Sequence, residues 1–352
     1  MAIDLREALG GVTIRASAPG RIDCGGGWDL KGPALASEAI DPSTVNLALD
    51  LRTTVVLEPA QDGNICMVVD ASGTHRQDFP LPLVGPHALI FAIVSHFDVS
   101  GVKLTVSSDI PAQSGLGGSG VLAVTLIAAL SKAMNMHDRR AELSPHRVAL
   151  LAHHIEDGLQ ISHTGLQDQL AAAYGGVNQW IWQYSDFDVP YRRRVLLAFE
   201  RFSELQRRIL VAYSGETHDS KELISKWVQS FREPGHRTSW YGINQATHLF
   251  AEGIHVAQWD MVIEAMRREA ALWDKICPKV WTPLTTAMRG AAEEHACGAR
   301  FTGAGGGGCI WAMGAPDRIA HLRPVWEKML ERIPSGRLIP TDVTDVGLTV
   351  TV

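Results

Sequence analysis

Residues 111–120 read Pro-Ala-Gln-Ser-Gly-Leu-Gly-Gly-Ser-Gly, and this stretch decides the fold. Before it, Val102–Ser107 has the character of a strand; after it, Val121–Met134 is a long apolar run of helical length. Four glycines between the two allow tight, left-handed backbone turns. A strand, a glycine turn and a helix in that order aim several unpaired helix N–H groups at one spot, and the helix dipole reinforces the anion site so formed. Ser119 adds a hydroxyl at the helix start, to cap the helix or to ligate a phosphate-bound Mg²⁺. Pro111, Ser114, Gly115, Leu116, Gly117, Gly118, Ser119 and Gly120 are therefore expected to hold a nucleotide's phosphates. Gly115–Gly120 also satisfies GxGxxG, but a dinucleotide site needs a second strand straight after the helix, ending in an acid. Here a polar linker and another helix follow. A Walker A loop is excluded because no lysine follows the glycines. A turn for packing alone is the weaker reading.

Three more segments carry chemistry. Phe301–Cys309 (FTGAGGGGC) lies between strand-like ARF and CIWAM; glycines in such a pattern mark close approach of a backbone or a ligand, and a packing-forced hairpin is the alternative. Gly305 and Gly306 are expected to border a substrate. Ala18–Leu30 (APGRIDCGGGWDL) sets Gly27, Trp28 and Asp29 together. These could admit a polyol, with Asp29 accepting hydroxyl hydrogen bonds and Trp28 offering an apolar face; a buried Trp and a surface Asp are equally good readings. Gly165–Gln169 (GLQDQ) places Gln167 and Asp168 just before a helix, with Glu156 twelve residues earlier. Transfer to a hydroxyl needs a proton acceptor and a metal held by oxygen, and Asp168 could take the proton. Asp168 as a plain helix-start acid and Glu156 as an exposed helix acid are the competing readings.

The rest of the chain sets limits. With 352 residues two domains are expected, divided at 200/201. A net charge of −6 and scattered arginines, as in the Arg192–Arg194 run, argue against nucleic acid. Five cysteines without a CxxC pair suit a reducing compartment, and the histidines form no HExxH pattern. No leader or membrane-spanning stretch is expected, so the reading is cytoplasmic. Strands and helices mix in both halves without strict βα alternation, which favours α+β. A strand at Gly11–Ala16 is expected to run into a turn at Pro19–Gly27, and Ile181–Leu197 is where the first half should give way.

Together, APGRIDCGGGWDL, PAQSGLGGSG and FTGAGGGG resemble, in order, the three motifs of the GHMP kinases. GGGWD and LQDQLAAAYGGVN look most like the branch with D-glycero-D-manno-heptose 7-phosphate kinase and L-fucokinase. The resemblance implies a two-domain α+β fold, a ribosomal-protein-S5-like N-terminal domain followed by a ferredoxin-like one. It implies ATP and Mg²⁺ as cofactors, Asp168 as base, Arg21 as the basic residue beside it, and Ser119 and Glu156 on the metal. The expected substrate is a sugar or sugar phosphate taken at its anomeric hydroxyl, without nucleic acid or membrane as partner; a homodimer is left open. Gly118 stands where the family usually has a serine, Trp28 where the branch has threonine or serine, and galactokinase's GEH triplet is missing. A non-sugar alcohol as acceptor, a catalytically dead nucleotide-binding member and a nicotinamide oxidoreductase are the rival readings. Arg192–Arg194, Lys103 and His163 are the candidates for holding a second anion.

Overall fold

One long strand organises the first half. Ser43–Pro59 (STVNLALDLRTTVVLEP) is rich in β-branched and apolar residues, and at 17 residues it serves two sets of neighbours. In the computed structural model, which describes residues 2–61, 65–70, 73–78, 80–139, 142–159, 165–186, 188–217 and 220–352, Ile14–Cys24 runs antiparallel along one of its edges. Its other edge is shared, Val102–Ser108 pairing with residues 53–59 and Val177–Trp182 with residues 43–47. Ile65–Asp70 joins Val102–Ser108 in parallel and forms a hairpin with Gly73–Asp78. Tyr191–Val195 extends the sheet beyond Val177–Trp182, and Thr349–Thr351 closes it beside Ile14–Cys24. The result is a mixed sheet of eight strands.

The helix Gly118–Asp138 lies on this sheet, against Ile14–Cys24 and Ser43–Pro59. By length and composition it could cross a bilayer, but 72% of that apolar window is buried inside the protein, which makes it a core helix. Pro145–Gly158 and Gln167–Tyr174 pack beside it. A second, antiparallel sheet has the order Gly298–Phe301, Cys309–Met313, Ile209–Tyr213 and Arg337–Leu338. The helices Trp259–Ile276, Pro283–Glu294 and Pro316–Leu330 pack on it, and Arg237–Val256 packs on the first of these. A short parallel pair, Ile3–Asp4 with Val99–Ser100, is a third sheet, and the whole is the expected α+β fold.

Three local expectations are corrected. The strand beginning at Ile14 does not stop at Pro19 but continues to Cys24, with a register shift between Pro19 and Arg21. A bulge is where a sheet tolerates proline, and it lets the strand carry Arg21 and Asp23 onward. The segment 181–197 is not a break: Val177–Trp182 and Tyr191–Val195 form a hairpin of the first sheet, with Trp180, Trp182 and Tyr191 buried. Its aromatics were the strand signal, masked by three consecutive arginines on an edge strand. Finally, Thr349–Thr351, expected with the second half, pairs with the first sheet.

Candidate active site

The glycine loop takes the shape its sequence demands. Gly115 and Gly117 have φ of 77° and 83°, left-handed values that side chains disfavour. Gly117 is the N-cap of the long helix, and no side chain caps that end. Its first N–H groups are left for a ligand. The loop borders a cavity of about 740 Å³, whose wall includes Pro111, Ser114, Gly115, Gly117, Gly118 and Ser119. Leu116 is fully buried and anchors the loop from behind, and its carbonyl accepts from the Arg21 N–H at 3.1 Å. A Cβ on Gly20 would come within 3.0 Å of that carbonyl oxygen, so the glycine of APGR allows the two motifs to touch.

Asp168 lies against the same loop. It is the second residue of the helix Gln167–Tyr174 and is buried. Its Oδ1 accepts from Arg21 Nε at 2.9 Å and Arg21 Nη2 at 2.6 Å. Its Oδ2 is 3.6 Å from where a Cβ on Gly117 would sit, and a Cβ on Gly120 would come 2.9 Å from the Asp168 Cβ. Arg21 also donates to the Gly115 carbonyl. Burial works against the Arg21 charge, but Asp168, Asp23 and Asp29 outweigh it and hold the guanidinium's pKa above its usual value.

Behind Arg21 runs a chain of buried charges that the sequence reading missed. Arg21 Nη1 is 3.2 Å from Asp23 Oδ1. Arg300 Nη1 donates to Asp23 Oδ2 at 2.7 Å, and Arg300 Nε to Glu269 Oε1 at 2.8 Å. Cys24 Sγ donates to Glu269 Oε2 at 2.9 Å. Signs alternate from Asp168 to Glu269, as a buried network requires. Spacing gave no clue, because Asp23 and Arg300 are 277 positions apart.

Ser119 and Glu156 meet as expected: Ser119 Oγ donates to Glu156 Oε1 at 2.5 Å, and Gln169 Nε2 donates to Oε2 at 2.5 Å. Glu156 is 1% exposed, not the exposed helix acid it could have been. Burial, with help from the nearby Asp168 charge, pushes its pKa up to about 7 despite the two hydrogen bonds. A hydroxyl and a carboxylate short of positive charge, beside a phosphate-binding loop, fit a hard divalent cation such as Mg²⁺.

The acceptor residues separate into two groups. Asp29 and Gln167 line the cavity with Asp168. Asp29 is held by the Gly27 N–H at 3.2 Å, and burial chiefly, then Asp168 and Asp23, raises its pKa to about 7. Asn46 orients Gln167 by donating to its Oε1 at 3.0 Å. Gly165 presses on Asp29; any Cβ there would lie 2.2 Å from Oδ2. Trp28, in contrast, offers no face to the cavity. It is fully buried, edge-on to Phe231 and Trp240 at ring separations of 5.9 and 5.6 Å. Gly27 abuts Trp240. Gly305 faces Val280 and Gly306 faces Leu223, so these glycines serve packing and the expectation that they border substrate is corrected. The loop FTGAGGGG instead supports the loop at 111–120: Cys309 N donates to the Ser114 carbonyl at 2.7 Å, and Thr302 Oγ1 to the same oxygen at 3.1 Å.

Another part of the wall is apolar, formed by Pro86, Leu89, Ile90, Val106, Ile110 and Leu122. It suits a flat aromatic base. Spread over two helices, a strand and a loop, these residues share no motif, which is why sequence reading did not find them. Of the residues considered for a second anion, Lys103 pairs with Glu58 at 2.9 Å, Arg192 with Asp41 at 2.5 Å and Arg194 with Glu252 at 2.8 Å. None of them lines the cavity, and neither does Arg193, which lies over the Tyr174 ring. His163 lies outside the described residues.

A glycine loop at an open helix end, an aspartate held by arginine against it, and an oxygen-ligand pair beside it are the parts that phosphoryl transfer calls for. Comparison with known proteins agrees. The family model "GHMP kinases N terminal domain" matches residues 87–176. A mevalonate kinase from Thermococcus sibiricus is 29% identical over 258 residues, 70% of this chain and 68% of that one. For two Pyrococcus mevalonate kinases the share of the relative is 65% and 61%, so the chain spans about two thirds of such relatives. The bifunctional fucokinase/GDP-fucose pyrophosphorylase of Arabidopsis thaliana is 24% identical over 84% of this chain but only 29% of its own length. Among solved structures, a D-glycero-D-manno-heptose 1-phosphate kinase from Bacteroides thetaiotaomicron superposes with a TM-score of 0.72 at 18% identity, covering 96% of this chain and 98% of that one. Residues 87–176 are a GHMP kinase N-terminal domain, and the relatives together with the site mark the chain as an ATP-dependent kinase.

Proposed function

We propose that the protein transfers the γ-phosphoryl group of ATP to a hydroxyl of a neutral sugar, at the anomeric carbon of a heptose- or fucose-like ring. The observation carrying this reading is the acceptor side of the cavity, where Asp168 stands with Asp29 and Gln167. Carboxyl and amide oxygens accept hydroxyl hydrogen bonds, as a polyol requires. Among the described lining residues Arg21 is the one Lys or Arg side chain, and Asp168 already takes it. An acceptor carrying its own carboxylate or phosphate would meet two acids there and, among the described residues of the wall, no unpaired arginine or lysine. That favours an uncharged sugar over a sugar phosphate.

In this reading the loop amides and the helix N-terminus hold the phosphates. Asp168 accepts the proton of the attacking hydroxyl as the new O–P bond forms and ADP departs. Such a base contributes about 10²–10⁴-fold in rate. Arg21 fixes Oδ1 of Asp168 with two hydrogen bonds, leaving Oδ2 for the proton. Ser119 and Glu156 would hold Mg²⁺, which when bound neutralises charge developing on the phosphates.

A second reading, a non-sugar alcohol as acceptor, is favoured by the Thermococcus sibiricus mevalonate kinase at 29% identity. One panel separates the two: ADP release with L-fucose, D-glycero-D-manno-heptose, its 7-phosphate and mevalonate, and ³¹P NMR to locate the new phosphate. Turnover of a neutral sugar at its anomeric oxygen is expected. Turnover of mevalonate alone would overturn the sugar reading and leave the phosphate site standing.

A further inference from the structure

A second cluster of ligating side chains lies on the apolar side of the cavity, made of residues other than Ser119, Glu156 and Asp168. Asp70 ends the strand Ile65–Asp70, His75 stands on the next strand opposite Val68, and His87 is the residue before the helix Ala88–Phe97. His87 Nδ1 is 3.4 Å from Asp70 Oδ2, and His75 Nε2 is 3.9 Å from Asp70 Oδ1. One ligand atom from each of the three lies within 4.8 Å of the other two. The imidazole rings are 4.3 Å apart, centre to centre. In a tetrahedral zinc site with bonds of about 2.0–2.1 Å, ligand atoms sit about 3.3 Å apart. The cluster needs only a small contraction to reach that spacing.

From this juxtaposition we propose a transition-metal site of the Zn²⁺ class, held by Asp70, His75 and His87. Two imidazoles and one carboxylate select zinc, cobalt or nickel over Mg²⁺, which prefers the all-oxygen pair at Ser119 and Glu156. Three protein ligands leave a fourth position for water or for a group in the cavity. A second observation points the same way. The His87 side chain is 12% exposed, and its Nε2 is shut away from solvent without a hydrogen-bond partner, a cost that polar groups ordinarily avoid. Asp70 and His87 both belong to the cavity wall, beside Pro86 and Leu89. A metal here ties the hairpin to the start of the helix and braces the wall on which a base would rest. It therefore tightens nucleotide binding, and nucleotide tightens the metal by the same factor.

The test is titration of chelator-stripped, dialysed full-length protein with Co²⁺, read by its visible d–d bands, and with Zn²⁺, read by calorimetry. All five cysteines are buried, so thiols offer no exposed competing site. One equivalent should bind, with tetrahedral cobalt bands. His75→Ala and Asp70→Asn should each weaken binding at least ~10-fold, the loss that changes around a metal's ligands already cause. His75 is partly exposed on a hairpin, so its variant keeps the fold. His153→Ala, which removes one of the chain's adjacent histidines, should leave binding unchanged. Substoichiometric binding without such bands, or equal affinity in the His75 variant, overturns the site. A fluorescent ADP analogue should bind several-fold more tightly with one equivalent of Zn²⁺; an unchanged Kd overturns the link to nucleotide. Because metal binding is read without substrate, failure here is distinguishable from failure of the kinase reading.

Discussion

Replacing Glu156 by glutamine should make the metal-free protein more stable and the enzyme worse. Glu156 is buried, and its pKa rises from 4.5 to about 7. The native state thus holds a proton between those values that the unfolded chain has released. Below pH ~4.5 both states are protonated and nothing is lost. As pH climbs towards 7 the unfolded state gains from ionisation and the native state does not, so stability falls. Carried through to pH 8 the penalty is ~3 kcal/mol, and glutamine never incurs it. Glutamine also keeps both hydrogen bonds, donating to Ser119 and accepting from Gln169. The assay is thermal unfolding of wild type and Glu156→Gln at pH 5, 6, 7 and 8 without metal or nucleotide. Taking the difference between variants cancels the contribution of Asp29, whose pKa is also raised to about 7. That difference should grow with pH, reaching several degrees in Tm at ~2 °C per kcal/mol. Mg²⁺ with a nucleotide analogue should narrow it, because a bound cation stabilises the ionised glutamate. A difference that stays constant from pH 5 to 8, or favours wild type as pH rises, refutes the reasoning.

Four further outcomes are expected. Asp168→Asn should lower kcat by about 10²–10⁴-fold while ATP affinity, measured by calorimetry, stays within a few-fold; near-normal turnover would remove the base. Gly120→Ala brings a Cβ to 2.9 Å from the Asp168 Cβ and should displace that side chain, lowering kcat more than it raises the KM for ATP in steady-state assays. Trp28→Phe should cost ~1–3 kcal/mol in denaturant unfolding yet leave the sugar KM unchanged, since the indole sits among aromatics and not in the cavity. Arg300→Met leaves Asp23 and Glu269 buried without their shared cation and should cost ~3–5 kcal/mol in the same measurement.

What could be read from the sequence was whatever is local. The phosphate loop was legible because four glycines, a preceding strand and a following helix are all within one short stretch. Ser119 and Asp168 could be named because each falls at a helix start, and Glu156 because the resemblance to the GHMP kinases gives that position a role. Their contacts could not. Nothing in GLQDQ says that Gln169 reaches Glu156, or that Arg21 takes Oδ1 of Asp168 from 147 positions away. Trp28 shows the same limit from the other side. A tryptophan next to an aspartate suits a polyol site or a core, and only the packing of Phe231, Trp240 and Tyr241 decides for the core. The hairpin Val177–Val195 went unread because an edge strand carries its arginines outward, which breaks the apolar pattern that a strand is recognised by.

The two glycine loops look alike in sequence and act differently, and the difference explains how the halves of the chain depend on each other. The first must leave its amides free for phosphate, so little of its own backbone can be spent on holding its shape. The other, FTGAGGGG, supplies that support. A Cβ on Gly308 would lie 2.6 Å from the Ser114 carbonyl oxygen, and one on Gly115 would lie 2.7 Å from the Thr302 carbonyl oxygen. Backbone therefore rests directly on backbone between the second sheet and the phosphate loop. The Asp23 carboxylate joins the same contact, accepting from Gly303 N at 2.9 Å while it pairs with Arg21 and Arg300. Arg21 is fixed through Asp23, and Asp168 through Arg21, so a side chain on the second sheet sets the position of the carboxylate beside the phosphates. The glycine loop at residues 115–120 thus rests on contacts from both halves of the chain. Within FTGAGGGG it is Gly303 and Gly308 that must stay glycine for this contact, because a side chain at either would push against the backbone of Gly115 or Ser114.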